Sequence, residues 1–205
     1  MIKLLRLLLA SAFTLALAFT SLSATAQEAV RPAVGTPLQA AQKLIKAGKY
    51  REALQKVQEA DDVASKTANE KLLVERMRLA AASGAGDMVA ATRAYDAINA
   101  TGKLGGAEKL RIIESIAGGY YRAKDYPKAI DWAQRYEKEG GNSAQMQTLL
   151  LQAQYLSGDT ASVTKELMAG IAADEEGGRG AAGERLKMLM RVSAQQTQGG
   201  ASLLA

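Results

Sequence analysis

The chain has 205 residues with no cysteine and no histidine, and its 26 basic and 21 acidic side chains leave a formal charge of +5. Without these two residue types it lacks a thiol nucleophile, a histidine-based catalytic triad and the usual zinc ligands, so no enzymatic activity, metal or cofactor is expected. Disulfides are excluded, and the interspersed charges form no basic block of the kind that binds nucleic acid.

The first 26 residues have the three-part pattern of a secretory signal peptide. Lys3 and Arg6 precede an apolar run that extends to about Leu22, and small residues occupy the positions that a signal peptidase recognises. The apolar run contains hydroxyl-bearing residues and is shorter than the roughly 20 residues that a membrane-spanning helix needs. We therefore expect cleavage after Ala26, no stable membrane span afterwards, and an exported, periplasmic product that begins at Gln27.

Two capping boxes predict where helices begin. Residues 27–35 are predicted to form an extended linker, and residues 36–39 form a capping box with Pro37 at the first helical position. The second box extends from Thr67 to Glu70 and predicts the start of another helix.

A short turn recurs along the chain, and each copy separates two amphipathic segments of helical length. The copies begin at Gly48, Gly86, Lys124 and Gly158, at steps of 38, 38 and 34 residues. Self-similarity at this period is typical of solenoids built from helical hairpins. The sequence therefore predicts an all-α chain with four hairpins between residues 36 and 173. These hairpins span residues 36–64, 72–100, 110–139 and 143–173.

The third hairpin carries the sharpest pattern. Small residues at Ala117 and Ala129 allow two helix backbones to approach closely, and Tyr120 and Tyr126 fill the space beside them. This pattern resembles the tetratricopeptide repeat (TPR), which places a small and an aromatic residue in its first helix and an aromatic and an alanine in its second. The resemblance covers roughly residues 37–170. It implies a right-handed superhelical solenoid of antiparallel hairpins.

The second and fourth hairpins depart from that pattern. Met88 and Thr160 replace the aromatic residue after the turn, and Leu79 and Leu151 replace the small residue of the first helix. We expect these departures to change the local packing angle and to leave the hairpins intact.

The chain changes character after the fourth hairpin. Residues 174–183 are acidic and glycine-rich, and their G-x-G-x-x-G spacing lacks the strand that a dinucleotide loop requires, so a simple loop is predicted. A terminal helix is predicted at 184–194, followed by a disordered tail at 195–205. The apolar side of this helix is predicted to carry Leu186, Met188, Leu189 and Met190. Because the outward face of this helix is only partly polar, we expect the chain to continue in a longer protein or to pair with another chain.

The TPR resemblance places a binding groove on the first helices of the hairpins. Arginine and tyrosine in such a groove can hold a peptide through charge-assisted hydrogen bonds and ring contacts. Trp132 is expected to pack against the next hairpin rather than to anchor a partner. The groove residues that the resemblance implies are Arg76, Arg111, Glu114, Gly118, Tyr121, Arg122, Thr148, Gln152 and Tyr155.

Two functions of different kinds are consistent with these features. The first is an exported, non-enzymatic adaptor whose groove binds a protein or peptide of the cell envelope, as the TPR resemblance implies. The alternative is a structural module that forms a homo-oligomer, in which the terminal helix completes the solenoid of another chain. Carbohydrate binding is a weaker third hypothesis, because the single tryptophan is predicted to be structural.

Overall fold

The computed structural model describes residues 29–177 and 183–202, and within these ranges it contains nine helices and no strand. This confirms the predicted all-α class; the predicted signal peptide lies outside the described residues. None of the described helices combines the length and the apolar character needed to cross a membrane. The helices are α1 (Pro32–Lys46), α2 (Tyr50–Asp61), α3 (Ala68–Ala85), α4 (Met88–Ala100), α5 (Gly106–Arg122), α6 (Tyr126–Lys138), α7 (Ala144–Ser157), α8 (Thr160–Glu176) and α9 (Gly183–Ser202).

Consecutive helices pack against each other throughout the described chain. The closest pairs are α1 with α2, α3 with α4 and α5 with α6, which coincide with the first three predicted hairpins. Neighbouring odd-numbered helices also touch, α1 with α3, α3 with α5 and α5 with α7. The result is a helical, repeat-like arrangement in which these odd-numbered helices lie side by side.

The recurring turn ends one helix and caps the next. Asp87, Asp125 and Asp159 each accept a hydrogen bond from the backbone N–H three residues later. Such a bond satisfies one of the amides that the first turn of a helix leaves unpaired. Gly86 and Gly158 close the preceding helices with φ of 77° and 86°, in the left-handed region where a glycine has no Cβ to clash.

The largest core lies where α4, α5, α6 and α7 meet. Ile113, Ile116 and Ala117 of α5 are completely buried in it. Trp132 is also buried, and its ring packs edge-on against Tyr95 of the preceding hairpin, with ring centroids 5.2 Å apart. The sequence predicts the burial of this tryptophan correctly, and the core that it joins contains Met146 and Leu150 of the next hairpin as well as Tyr95 of the preceding one.

Glycines allow close approach at two junctions between hairpins. The ring of Tyr50, at the start of α2, lies where a side chain on Gly84 of α3 would be. Met88, at the start of α4, occupies the corresponding place against Gly119 of α5. Met88 therefore packs as Tyr50 does although it departs from the aromatic pattern, since an unbranched side chain adapts to irregular gaps.

The first helix begins five residues earlier than the capping box at 36–39 predicts. Its N-cap is Arg31, its first residue is Pro32, and Pro37 lies inside it. Pro32 supplies the same start signal as Pro37, because a proline in the first turn loses no intrahelical hydrogen bond. The predicted linker is therefore helical from Pro32 onward, while residues 27 and 28 lie outside the described residues.

The C-terminal boundaries also differ from the prediction. α8 continues through the acidic residues 174–176 and ends at Gly177, while residues 178–182 lie outside the described part. α9 continues to Ser202, so residues 195–202 of the predicted disordered tail are helical, and residues 203–205 are not described. Extending a formed helix by one residue is far easier than nucleating it, which explains how a weakly patterned segment continues α9.

The fourth predicted hairpin is less closely paired than the other three. α8 packs more extensively on α9 than on α7. Three buried residues, Val163, Leu167 and Val192, form a cluster that joins α8 to α9. Leu151 of α7, which replaces the small residue of the repeat pattern, is partly buried against this cluster. A leucine at this position does not by itself separate two helices, because Leu79 takes the same place in the second hairpin and α3 and α4 remain closely paired.

Candidate functional site

The predicted groove residues lie on α3, α5 and α7, and six of the nine line three depressions. We call the surface that carries these depressions the odd-helix face. The arginine depression, of about 450 Å³, is lined by Arg76, Leu79, Ala80, Ser83, Ile98, Glu108, Arg111, Ile112 and Ser115. The glutamine depression, of about 400 Å³, is lined by Tyr121, Ala144, Gln145, Thr148, Leu149 and Gln152. The terminal cleft, of about 230 Å³, is lined by Tyr121, Gln152, Tyr155, Leu156, Met188 and Arg191.

The structure does not bring every predicted residue into these depressions. Glu114, Gly118 and Arg122 lie on α5 but line none of the three. Arg122 is exposed near the end of that helix, and its guanidinium lies above Gly118.

The arginine depression contains an ion pair between two hairpins. Both terminal nitrogens of Arg76 on α3 donate to the carboxylate of Glu108 on α5, and the Nη2–Oε2 distance is 3.3 Å. The hydrogen bond from Arg76 holds the pKa of Glu108 below its usual value. Arg111 is exposed, and its Nε donates to the carbonyl of Ala107 at 3.3 Å. Arg76 is therefore paired with Glu108, whereas Arg111 is exposed and its positive charge also helps to lower the pKa of Glu108.

A hydrogen bond divides the glutamine depression from the terminal cleft. The hydroxyl of Tyr121 on α5 donates to Oε1 of Gln152 on α7 at 3.1 Å. The ring of Tyr121 also packs edge-on against Tyr126, with centroids 5.8 Å apart. Because both members of the hydrogen bond line both depressions, this bridge forms the wall that the two share.

The polar side chains beside this bridge differ in whether they already have a hydrogen-bond partner within the chain. The hydroxyl of Thr148 donates to the carbonyl of Ala144 at 2.8 Å, within its own helix. Gln145, which lies one turn before Leu149 on α7, is exposed to solvent. Thr148 thus presents a satisfied hydroxyl to the depression, while the amide of Gln145 is accessible to a ligand.

The terminal cleft includes α9, which the sequence pattern does not assign to the groove. Tyr155 and Met188 are partly buried against the cluster that joins α8 to α9, whereas Leu156 is 46% exposed. Arg191 is exposed and forms no ion pair with any side chain that the structure describes. The helical spacing of positions 188 and 191, three residues apart, places both on one face of α9.

The inward face of α9 also differs from the prediction. Its buried or partly buried residues are Met188, Leu189 and Val192. The sequence places Met188 and Leu189 on the apolar side correctly. Leu186 and Met190, which it places there too, are 43% and 71% exposed. The apolar residues of this short segment fit two alternative faces, and only the contact with α8 selects between them.

An ion pair with a buried carboxylate, near the N-terminus, is a feature that the sequence pattern does not predict. The carboxylate of Glu70 has no solvent exposure and accepts hydrogen bonds from Arg31 Nε at 2.9 Å, Arg31 Nη2 at 2.7 Å and the Arg31 backbone N–H at 3.0 Å. The backbone N–H of Thr67 also donates to it at 3.0 Å, which completes the predicted capping box. The Arg31 side chain and then the Thr67 amide lower the pKa of Glu70 to about 2. This arrangement joins the start of α1 to the start of α3 and has a structural role.

Comparisons of this chain with protein-family models, with curated proteins and with solved structures gave no match. The resemblance to the TPR therefore depends on the residues and spacings of this sequence alone. Within the described residues, no group of three acidic side chains is arranged to hold a metal ion.

Proposed function

We propose that the chain is an exported, non-enzymatic scaffold that binds a protein or peptide of the cell envelope on its odd-helix face. The observation that carries the proposal is the pair of adjoining depressions on either side of the Tyr121–Gln152 hydrogen bond. They extend over α5, α7 and α9 and combine tyrosine, glutamine and arginine side chains. Tyrosine and arginine are enriched among the residues that dominate protein interfaces.

The proposal includes a TPR-like, right-handed solenoid. Even-numbered helices begin at Tyr50, Met88, Tyr126 and Thr160, at intervals of 38, 38 and 34 residues. Contacts between successive odd-numbered helices support an arrangement in which one side of every hairpin contributes to a continuous surface. Such a surface is extended and open, as is typical of repeat proteins that bind other polypeptides.

Site-specific photo-crosslinking tests where a partner binds. A benzophenone amino acid is placed at Gln145, in the glutamine depression, and in a matched variant at Gln134, an exposed glutamine of α6. We expect irradiation in the native host to join Gln145, and not Gln134, to one or a few envelope proteins. Changing both Arg111 and Arg122 to Glu in the crosslinking chain should weaken that adduct. Equal adducts at both positions, or none at either, would count against the proposal.

Export is tested by the mass of the protein recovered from the periplasm. The proposal requires a chain that has lost residues 1–26 and begins at Gln27. A protein that keeps its first 26 residues, or that stays in the cytoplasm, contradicts the localisation.

Self-association is the second candidate, and the exposed apolar residues near the C-terminus favour it. Met168 is 58% exposed on α8, and Leu186 and Met190 are exposed on α9. Sedimentation velocity over a wide concentration range tests this candidate directly. A dimer that dissociates when Met190 is changed to Lys supports it, whereas a monomer at every concentration rules it out.

A further inference from the structure

We infer that the terminal cleft anchors the partner by taking one bulky apolar side chain that lies next to a carboxylate. This inference rests on the proposed function, since it names the chemistry of the segment that the odd-helix face binds. It also makes α9 part of the binding site.

The size and lining of the cleft favour a single apolar side chain. Its volume of about 230 Å³ is smaller than the roughly 300–1,000 Å³ of pockets that enclose whole small-molecule ligands. Tyr155, Leu156 and Met188 provide apolar walls, and Leu156 is 46% exposed in the absence of a partner. Covering these walls removes apolar surface from water, and the flexible Met188 side chain can adjust to the shape of the group that enters.

The charge at the cleft favours a carboxylate beside that apolar group. Arg191 lines the cleft with no ion pair among the described side chains, and the described lining residues include no acidic side chain. Arg185, on the same helix, is by contrast paired with Asp174. An unpaired guanidinium offers a forked set of donors that matches the two oxygens of a carboxylate.

The neighbouring glutamine depression indicates how the rest of the segment lies. It begins at the other side of the Tyr121–Gln152 bridge and exposes the side chain of Gln145. A segment anchored in the cleft would pass over this bridge onto a surface able to hydrogen-bond with its backbone. The inferred occupant is therefore a short, acidic, extended segment of another protein.

Peptide selection tests this chemistry while the partner itself is still unidentified. The exported protein is immobilised, and a phage library of random dodecapeptides is the probe. We expect enrichment of sequences in which Phe, Leu, Ile, Met or Trp stands next to Asp or Glu. Enrichment of basic peptides, or no enrichment, overturns the inference.

Paired variants then locate the selected peptide by fluorescence anisotropy. Arg191→Glu should raise its Kd roughly tenfold or more, whereas Arg93→Glu, at an exposed arginine of α4, should leave it unchanged. Leu156→Asp should have a similar effect, and Leu186→Asp, at a leucine of nearly equal exposure outside the cleft, should have none. Circular dichroism confirms that all four variants remain folded. An unchanged Kd in Arg191→Glu and Leu156→Asp overturns the inference.

The two proposals can fail separately. If Gln145 still crosslinks to an envelope protein after Arg191→Glu and Leu156→Asp, the inferred anchor is wrong and the scaffold function stands. If Gln145 crosslinks only to a second copy of this chain, the occupant is the protein itself and both proposals fail.

Discussion

Near its N-terminal end the described chain buries the carboxylate of an ion pair, whereas near its C-terminal end the described residues include three buried side chains that join α8 and α9, and apolar surface remains exposed. The Arg31–Glu70 pair lies beside a cluster of eight buried residues from α1, α2 and α3. Among the described residues, the cluster between α8 and α9 has three buried members, Val163, Leu167 and Val192. Among the described residues five large apolar side chains are exposed, and four of them lie on α7, α8 and α9.

Under the proposed function, this difference assigns stability and binding to different parts of the chain. Hydrogen bonds to a buried carboxylate require one arrangement of α1 and α3, because any other arrangement leaves a charge unpaired. No such requirement fixes the arrangement of the C-terminal helices, and their exposed side chains are available to a partner. In repeat proteins each unit is stabilised mainly by its neighbours, so the two ends can open independently.

The largest expected effect comes from breaking the N-terminal ion pair. Arg31→Ala removes the side chain that donates most of the hydrogen bonds to the fully buried Glu70 carboxylate, and a buried charge that loses its partner is destabilising. We expect a large fall in the free energy of unfolding, measured by urea denaturation and circular dichroism. Lys43→Ala, which removes an exposed cation of α1, is the matched control and should change little. Equal stability of the two variants would show that the ion pair is dispensable.

The same pair predicts an acid dependence of stability. The pKa of Glu70 is about 2 in the folded chain and near its ordinary value of 4.5 when unfolded. A depressed pKa means that the ionised carboxylate stabilises the fold above about pH 4.5, and that this contribution is lost as the pH falls toward 2. Urea denaturation at several pH values should show this loss in the native chain and a smaller one in Arg31→Ala. Identical pH profiles would contradict the assignment.

A matched pair of leucines compares the two clusters directly. Leu38→Ala in α1 and Leu167→Ala in α8 remove the same atoms from buried positions, a change that costs about 2–5 kcal/mol in protein cores. We expect Leu38→Ala to expose α1, α2 and α3 together, and Leu167→Ala to open only α8 and α9. Hydrogen exchange resolved by peptide distinguishes these outcomes. Loss of protection across all helices in Leu167→Ala would mean that the chain unfolds as one unit.

Two helix caps, one in each half of the described chain, allow the same comparison with a smaller expected change in stability. Thr67 accepts from the Glu70 N–H and Ser143 from the Met146 N–H, both at 3.2 Å. Removing a cap of this kind costs about 1 kcal/mol, so Thr67→Ala and Ser143→Ala should lower the free energy of local opening by similar amounts. Thermal denaturation and hydrogen exchange are measured for both variants. A much larger cost for Thr67→Ala would mean that its cap and the buried ion pair act as one unit.

Features set by nearby residues could be predicted from the sequence. The Thr67–Glu70 capping box and the Asp125 cap depend on residues three apart, and both are present. The buried stripe of Ile113, Ile116 and Ala117 follows from helical periodicity. These signals are local, but context can still override one of them, since the capping box at 36–39 lies inside α1 and does not start it.

Features that join distant parts of the chain could not be predicted in this way. Arg31 and Glu70 are 39 residues apart, and no pattern in the sequence links an arginine before α1 to an acid in α3. The contribution of Met188 and Arg191 to the terminal cleft depends on which face of α9 meets α8. The TPR resemblance predicts groove positions on α3, α5 and α7, but it does not predict the pairing of Arg76 with Glu108.

The smallest expected effect on stability comes from the bridge between the two depressions. Tyr121→Phe removes the hydrogen bond to Gln152 and keeps the ring, so it should lower the free energy of unfolding by only about 0.5–1.5 kcal/mol. Tyr126→Phe is the control, because no hydrogen bond of its hydroxyl is found among the described residues. Urea denaturation and the affinity of the selected peptide are measured on both variants. If Tyr121→Phe weakens binding several-fold with little change in stability, the bridge serves the binding surface. A large loss of stability with unchanged affinity would instead make it a structural tie between α5 and α7, and the separation of stability from binding would fail at that point.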